Sequence, residues 1–391
     1  YDLQQLTQLI SFIQTYPILI IEYSDRHHHN GLAKANTHTS FVKLKYYGIS
    51  CNAVNWISDF LDDRTQTVVL DGEMFKRVSI CSGVPGHSPW SDPLPDYIND
   101  FADYIQHSTL RLFADDSIIY TEKLKVYMML SFSHLTWRLL VEGAGLVDAL
   151  HPDKCNILNV TKKRAGPILY KLHNNILVKS SKYLGITIQN NLKWDQYINS
   201  ISKKSNQSLG FLALGFLRRN LKNNSVKVKE HAYKAIVRPK LEYASTFWEP
   251  HAKNHISQIE KVQRRAAQFV TNRYHNTSSI HVSDMLHIMN WPPLYLRRTR
   301  ACLIMFYKII HHTVAIYPKN NLLIPTDSRM RNSNFYSYRH FGTSKDFYKY
   351  SFYPRTVGQW NMLPPVAHQA TTVDSFKAIV TVPLLLSAIS N

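Results

Sequence analysis

Two adjacent carboxylates, Asp115 and Asp116, stand between the apolar runs Thr109 to Phe113 and Ser117 to Tyr120. Such a pair is an ordinary turn element when it stands alone. Flanked by two strand-like runs, it becomes a tight hairpin carrying two negative charges at its tip, where like-charge repulsion needs compensation. A divalent cation supplies that compensation. Magnesium takes hard oxygen ligands and is commonly held by one or two protein carboxylates together with substrate phosphates. Two such ions, about 3.5 to 4 Å apart, stabilise the attacking and leaving oxygens of a phosphoryl transfer. Cations form the second chemical group. Of the net charge of +19, a surplus of 17 lies between Val160 and Arg273, where 22 Lys or Arg face only 5 Asp or Glu. Arg218, Arg219 and Lys222 cluster near one expected helix end, and Lys261, Arg264 and Arg265 share the polar side of another helix. Cations this concentrated suit a polyanion such as nucleic acid.

The remaining reactive side chains are less organised. Cys51, Cys81, Cys155 and Cys302 are too scattered for a zinc pattern or a disulfide framework. The triplet His27, His28 and His29 has no further ligands at structural-site spacing and reads as an exposed loop.

The elements expected to position these groups alternate between helix and antiparallel strand. Residues 1 to about 40 begin with an apolar-periodic segment that reads as one helix, followed by a polar, His-rich loop. Asp25, the only nearby upstream carboxylate besides Glu22, lies in polar surroundings, Ser24 and Arg26 to Asn30, that do not read as a strand. A helix interrupted near Gly48 covers Phe41 to Phe60. Thr65 to Leu70 and Phe75 to Ile80, joined through Asp71-Gly72, predict a hairpin. Prolines 85, 89, 93 and 95 exclude a regular helix after it. A helix over roughly Leu124 to Glu142 and strands at Asn156 to Val160 and Tyr183 to Ile188 follow. Beyond Trp194 the chain turns helical and basic. Over Asn254 to Val270 an apolar stripe opposes Lys261, Arg264, Arg265 and Gln268, and a similar face is expected around Leu296 to Ile310. Leu209 to Ala213 is repeated at once as Leu214 to Arg218. A five-residue insertion turns a helix by about 500°, which leaves roughly 140° of mismatch and is expected to disturb packing.

In this order and spacing the motifs resemble the reverse transcriptases of non-LTR (LINE-type, jockey-like) retrotransposons. Phe113-Ala114-Asp115-Asp116, preceded by Arg111-Leu112, is similar to the family's aromatic-Ala-Asp-Asp box. VKLKYYGIS (Val42 to Ser50), WISDFLDDRTQTVVLDG (Trp56 to Gly72) and SGVP (Ser82 to Pro85) resemble finger and palm segments. HPDKCNILNVTKK (His151 to Lys163), KYLGITIQNNLKW (Lys182 to Trp194) and FYPRTVGQWNMLP (Phe352 to Pro364) resemble later family segments. The resemblance implies an α+β right-hand polymerase: residual fingers at 1–60, palm at 61–192, basic helical thumb at 193–311 and a tail at 312–391. It implies RNA-directed DNA polymerase activity on an RNA template and a DNA primer, with deoxynucleoside triphosphates and Mg2+. By the same resemblance Asp115 and Asp116 hold metal, and Lys154 lies near the triphosphate as a proton donor. Ser82, Gly83, Val84 and Pro85 lie near template and incoming nucleotide, Phe113 beside the primer terminus, and Tyr183, Leu184 and Gly185 under the primer. Arg218, Arg219, Lys261, Arg264 and Arg265 would contact phosphates of an RNA–DNA duplex.

Two departures bear on activity. Family members carry a further metal-bridging aspartate, in a segment like Asp-Phe-Ser-Lys-Ala-Phe-Asp, on a strand upstream of KLKYYGI; the corresponding Gly31 to Ser40 keeps only Lys34-Ala35. After SGVP the family continues with Gln-Gly-Ser and an apolar helix, whereas Gly86 to Asp96 reads GHSPWSDPLPD. The expectation is a catalytically impaired remnant, and the alternative is a noncatalytic nucleic-acid-binding protein or a translated pseudogene. The apolar stretches Leu9 to Ile21 and Ala378 to Ile389 fall short of the about 20 residues needed to span a bilayer. Without a signal peptide, an intracellular chain of nucleus or cytoplasm is expected, with no membrane and no obligate protein partner. Its start at Tyr1 reads as that of a fragment.

Overall fold

A computed structural model describes residues 18–23, 44–46, 48–61, 65–79, 109–113, 116–122, 155–160, 177–214, 225–273, 282–318, 322–326, 336–342, 346–381 and 384–385. The described residues combine helices with small, mainly antiparallel sheets, an α+β composition. The chain divides into two compact units, Tyr16–Asn191 and a second dominated by Leu192–Asn391.

The first unit centres on a five-stranded sheet in the order β6-β7-β1-β8-β9. Its strands are β1 (Ile18–Tyr23), β6 (Thr109–Phe113), β7 (Asp116–Glu122), β8 (Cys155–Val160) and β9 (Leu177–Val178). All neighbours are antiparallel except β8 and β9. The expected amino-terminal helix is corrected here, because its last apolar residues form the middle strand. Pro17 cannot donate a backbone N–H within a helix. The Ile18-Leu19-Ile20-Ile21 run that follows is unbroken and three of its four residues are β-branched, the pattern of a strand with neighbours on both edges. Ile118, Leu158 and Val160 are buried.

Helix α1 (Cys51–Leu61) follows a turn at Gly48, where φ is +82°. The expected hairpin after it forms in two pieces. β3 (Val69–Leu70) pairs with β4 (Glu73–Met74) around Asp71 and Gly72, at φ +51° and +90°. Positive φ at both central positions is the hairpin turn whose twist matches the strands. Below it β2 (Thr65–Gln66) pairs with β5 (Val78–Ser79) with Gln66 opposite Val78, one residue out of step with the upper ladder. The extra residue on the returning strand is a bulge. The unit's last hairpin joins β10 (Ser180–Tyr183) to β11 (Ile186–Gln189).

The second unit is helical: α2 (Asp195–Leu214), α3 (Val226–Ala232), a π-turn (Tyr233–Val237), α4 (Arg238–Glu242), α5 (Ser245–Trp248), α6 (Lys253–Thr271), α7 (Val282–Ile288), α8 (Leu294–Ile310), α9 (Asp346–Lys349), α10 (Phe352–Asn361), α11 (Pro365–His368) and α12 (Val373–Ile379). The π-turn has an evident cause in Pro239, which would leave the Ala235 carbonyl unpaired in a regular helix. The ladder slips by one residue instead, so the Arg238 amide donates to the Tyr233 carbonyl.

The core of this unit collects around α8. Phe306 lies 5.2 Å from the Trp360 ring of α10, and Tyr307 stacks at 4.4 Å on Phe376 of α12. The Tyr307 hydroxyl donates to the Ala370 carbonyl at 2.7 Å. A Thr372–Ser375 capping box begins α12. At its other end the Arg300 guanidinium donates to the carbonyls of Lys377 and Val380, at 2.6 and 2.7 Å, placing a cation at a helix C-terminus. The first copy of the duplicated pentapeptide lies in α2, with Leu209 and Leu212 buried and Phe211 exposed. Leu214, the first residue of the second copy, ends α2, and the rest of that copy lies outside the described residues.

Candidate functional site

The closing end of the β6–β7 ladder carries the first candidate group. Phe113 pairs with Asp116, so Asp116 is the first residue of β7 rather than part of the turn. Ala114 and Asp115 connect the strands and lie outside the described residues. Beside this end runs β1, with Tyr23 opposite both Ser117 and Cys155 and Glu22 opposite both Ile118 and Asn156. Strand residues two apart share a face, so Glu22 and Asp116 occupy diagonal positions on one face of the sheet. Such positions are about 7 to 8 Å apart. The residue that sequence reasoning passes over is Glu22: the polar residues that tell against a strand, Ser24 and Arg26 to Asn30, surround Asp25. The signal available was Pro17 followed by four apolar residues leading into Glu22.

Lys154 and Ser82 to Pro85 lie outside the described residues, although β8 begins at the residue after Lys154. Tyr183, Leu184 and Gly185 form one feature, the turn between β10 and β11. Tyr183 and Leu184 are buried, and φ is +45° at Leu184 and +78° at Gly185. Gly185 adopts this conformation freely, whereas a left-handed leucine costs roughly 1 to 2 kcal/mol and is held in place by its surroundings. Among the described residues no three His, Cys, Asp or Glu come together as a metal-binding group, and no helix is long and apolar enough to cross a membrane.

A second candidate surface lies on α2 and α6. The expected amphipathic stripe of α6 is present: Ile259, Val262, Ala266, Phe269 and Val270 are buried, while Lys261, Arg264 and Arg265 are exposed. Three polar links join the two helices. His255 Nε2 lies 3.2 Å from Asp195 Oδ1, Gln258 Nε2 donates to Asn199 Oδ1 at 3.0 Å, and Arg265 Nη1 donates to Asn206 Oδ1 at 3.0 Å. Because the partners advance together along both chains, the helices run parallel. Lys203 and Lys204 of α2 are exposed, as is Lys240 of α4, whose ammonium donates to the Ser208 hydroxyl. These six cations belong to three packed helices, and two of them, Arg265 and Lys240, are already oriented by a hydrogen bond that each donates to the neighbouring helix. Arg218, Arg219 and Lys222 lie outside the described residues.

The cationic face expected on α8 is not there. Arg297 forms a two-pronged pair with the Glu242 carboxylate, Arg298 is fully buried, and Arg300 caps α12. Sequence spacing placed these arginines opposite an apolar stripe, but α8 is enclosed by α5, α6, α10 and α12, so its polar side meets protein. Comparison of the chain with protein-family models gives no match, and comparison with curated proteins gives none either.

Proposed function

We propose that the chain is a remnant of a non-LTR retrotransposon reverse transcriptase, which holds an RNA–DNA duplex and has lost the ability to extend a primer. Residues 61–192 with β1 act as the palm, and residues 193–311 act as the thumb. The observation that carries this reading is the sheet order, in which the Phe113–Asp116 hairpin lies beside a central strand bearing a carboxylate residue, Glu22, at a diagonal position.

The donor set fits a hard divalent cation: Asp115 and Asp116 on the hairpin, with Glu22 in place of the aspartate that the family carries. Mg2+ held by these three carboxylates would neutralise charge on a transferring phosphate. Glutamate carries its carboxylate one methylene further from the backbone than aspartate. Polymerase metal sites depend on placement to within about 0.5 Å, so this exchange weakens the alignment on which the reaction rests. The Gln-Gly-Ser segment that should support the incoming nucleotide is also replaced. Binding survives these losses because it resides elsewhere, on the exposed cations of α2, α4 and α6.

The test pairs two measurements on the full chain. A primed RNA template with deoxynucleoside triphosphates and Mg2+ or Mn2+ is expected to give no extension, while an RNA–DNA duplex binds with an affinity that falls steeply with salt. Extension that disappears in Asp115→Asn would show that catalysis persists and would overturn the impaired-remnant reading. A folded chain with no affinity for the duplex at low salt would overturn the binding reading.

A further inference from the structure

Within the second unit, charged side chains from three segments meet where two of them are buried and the third, Arg355, is 13% exposed. They are Glu249, just after α5, Arg298 of α8 and Arg355 of α10, with the Cys302 thiol in contact with two of them. Arg298 is 0% exposed and Glu249 8%. Glu249 Oε1 is 3.7 Å from Arg298 Nε, and Glu249 Oε2 is 3.9 Å from Arg355 Nη2, both beyond hydrogen-bond range. Arg355 finds some acceptors: its Nη1 donates to the carbonyls of Glu249 and Tyr350, each at 3.2 Å, and its Nη2 donates to Cys302 Sγ at 3.4 Å. Its Nε has none. Arg298 is worse placed, since all three of its guanidinium nitrogens are buried without a hydrogen-bond partner. Its guanidinium carbon lies 5.8 Å from the centre of the Trp248 ring, a contact that accepts no N–H bond along the guanidinium edge.

Two guanidiniums meet at the Glu249 carboxylate without a hydrogen bond to it, and a guanidinium cannot relieve its unmet donors by losing its proton. The neighbouring thiol does not supply a second negative charge, because burial pushes Cys302 up to about 12. Glu260 interacts with Arg298 electrostatically and offsets part of its charge, but no hydrogen bond joins the two side chains: the Glu260 carboxylate accepts the Tyr295 amide at the start of α8, 2.9 Å away. Three hydroxyls carried by two of the same elements, Thr246 of α5 and Tyr353 and Thr356 of α10, are likewise buried without partners. Hydroxyls accept as well as donate, so the group that stands apart is the Arg298 guanidinium, whose nitrogens can only donate and have no acceptor.

We infer that Arg298 and the Nε of Arg355 hold a small inorganic anion, for which chloride is the probe. The anion accepts the unmet N–H groups and ties α10 to α5 and α8. It acts on the stability of the second unit and is independent of nucleic-acid binding on the exposed face.

Thermal unfolding of the full chain in sodium chloride and in sodium gluconate, at matched ionic strength, tests the site. Chloride is expected to raise the midpoint relative to gluconate, because a ligand of the folded state stabilises by mass action. Arg298→Met, which replaces the cation by an apolar chain of similar length, is expected to lose the difference. The double variant Lys261→Ala, Arg264→Ala is expected to keep it, which separates the buried site from the surface cations. Broadening of the chloride-35 resonance by the folded wild-type chain, reversed on unfolding, gives a reading that does not depend on how the variants fold. Equal midpoints in the two salts for the wild-type chain, or a chloride effect that survives in Arg298→Met, would overturn the site and leave the donors to water.

Discussion

Removing Lys261 and Arg264 tests the basic face through its salt dependence rather than through affinity alone. Both side chains are exposed on α6, and surface substitutions away from packed groups usually change stability by no more than about 0.5 kcal/mol. The Lys261→Ala, Arg264→Ala chain should therefore keep its fold, which circular dichroism and the thermal midpoint can verify. With Lys203, Lys204, Lys240, Lys261, Arg264 and Arg265 each neutralising one phosphate of a duplex, the slope of log K against log salt is about −0.9 per phosphate, or roughly −5.4 in all. A fourfold rise in salt then weakens wild-type binding roughly a thousandfold, whereas four remaining contacts give a slope of about −3.6 and a loss of roughly a hundredfold. Fluorescence anisotropy with an RNA–DNA duplex at four salt concentrations measures both slopes. Lys377→Ala serves as a control on α12 that removes one cation where the double variant removes two; its ammonium pairs with Asp374 at 2.9 Å. A double variant whose slope equals that of wild type, or a Lys377→Ala chain that loses as much, would refute the assignment of the face. Duplex sequence should matter little, because phosphate contacts position a ligand without reading its bases.

The tail should be inseparable from the helices before it. A chain ending at residue 311 loses Trp360 and Phe376, both buried against α8. Each such loss costs about 3 to 5 kcal/mol, against a typical domain stability of about 5 to 15 kcal/mol. Urea denaturation should show no cooperative transition for that truncation, and a native-like transition would contradict the packing. Stability should also fall on mild acidification through His368. Its ring is buried between Tyr336 and Trp360, its Nε2 bonds the Leu363 carbonyl at 3.1 Å, and its Nδ1 has no partner. Burial holds its pKa below the usual value, so the unfolded chain takes up a proton that the folded chain refuses. The stability contribution is complete above the unfolded pKa of about 6.5 and declines as pH falls from there toward the lower folded value. Burial shifts His251 and His311 in the same direction. Unfolding midpoints at pH 7.5 and 5.5 should differ less in His368→Gln than in wild type, and an unchanged difference would count against this account.

Local rules were enough for several elements. Asp71-Gly72 announced a hairpin because only a few residue pairs accept positive φ twice in succession, and the ladder closes on that turn. The β6–β7 pair was legible because apolar runs on both sides of a short polar break leave few alternatives to an antiparallel hairpin. The exposed and buried sides of α6 followed from a period of 3.6 residues. Charge density over Val160 to Arg273 needed nothing beyond counting.

What the sequence could not determine by itself were the partners of each segment. An unbroken apolar run such as Ile18 to Ile21 suits a helix or a covered strand equally well, and periodicity cannot choose between them. Only pairing with β7 on one edge and β8 on the other made it the central strand and brought Glu22 level with Ile118. The arginines of α8 show the same limit in electrostatics. Their spacing says that they share a side of a helix, but whether that side meets water or Glu242, Glu249 and the end of α12 depends on segments 50 to 80 residues away. Periodicity reports the faces of a helix or strand, and the tertiary structure decides what each face meets, because burial and ion pairing are properties of neighbours that the chain brings together only on folding.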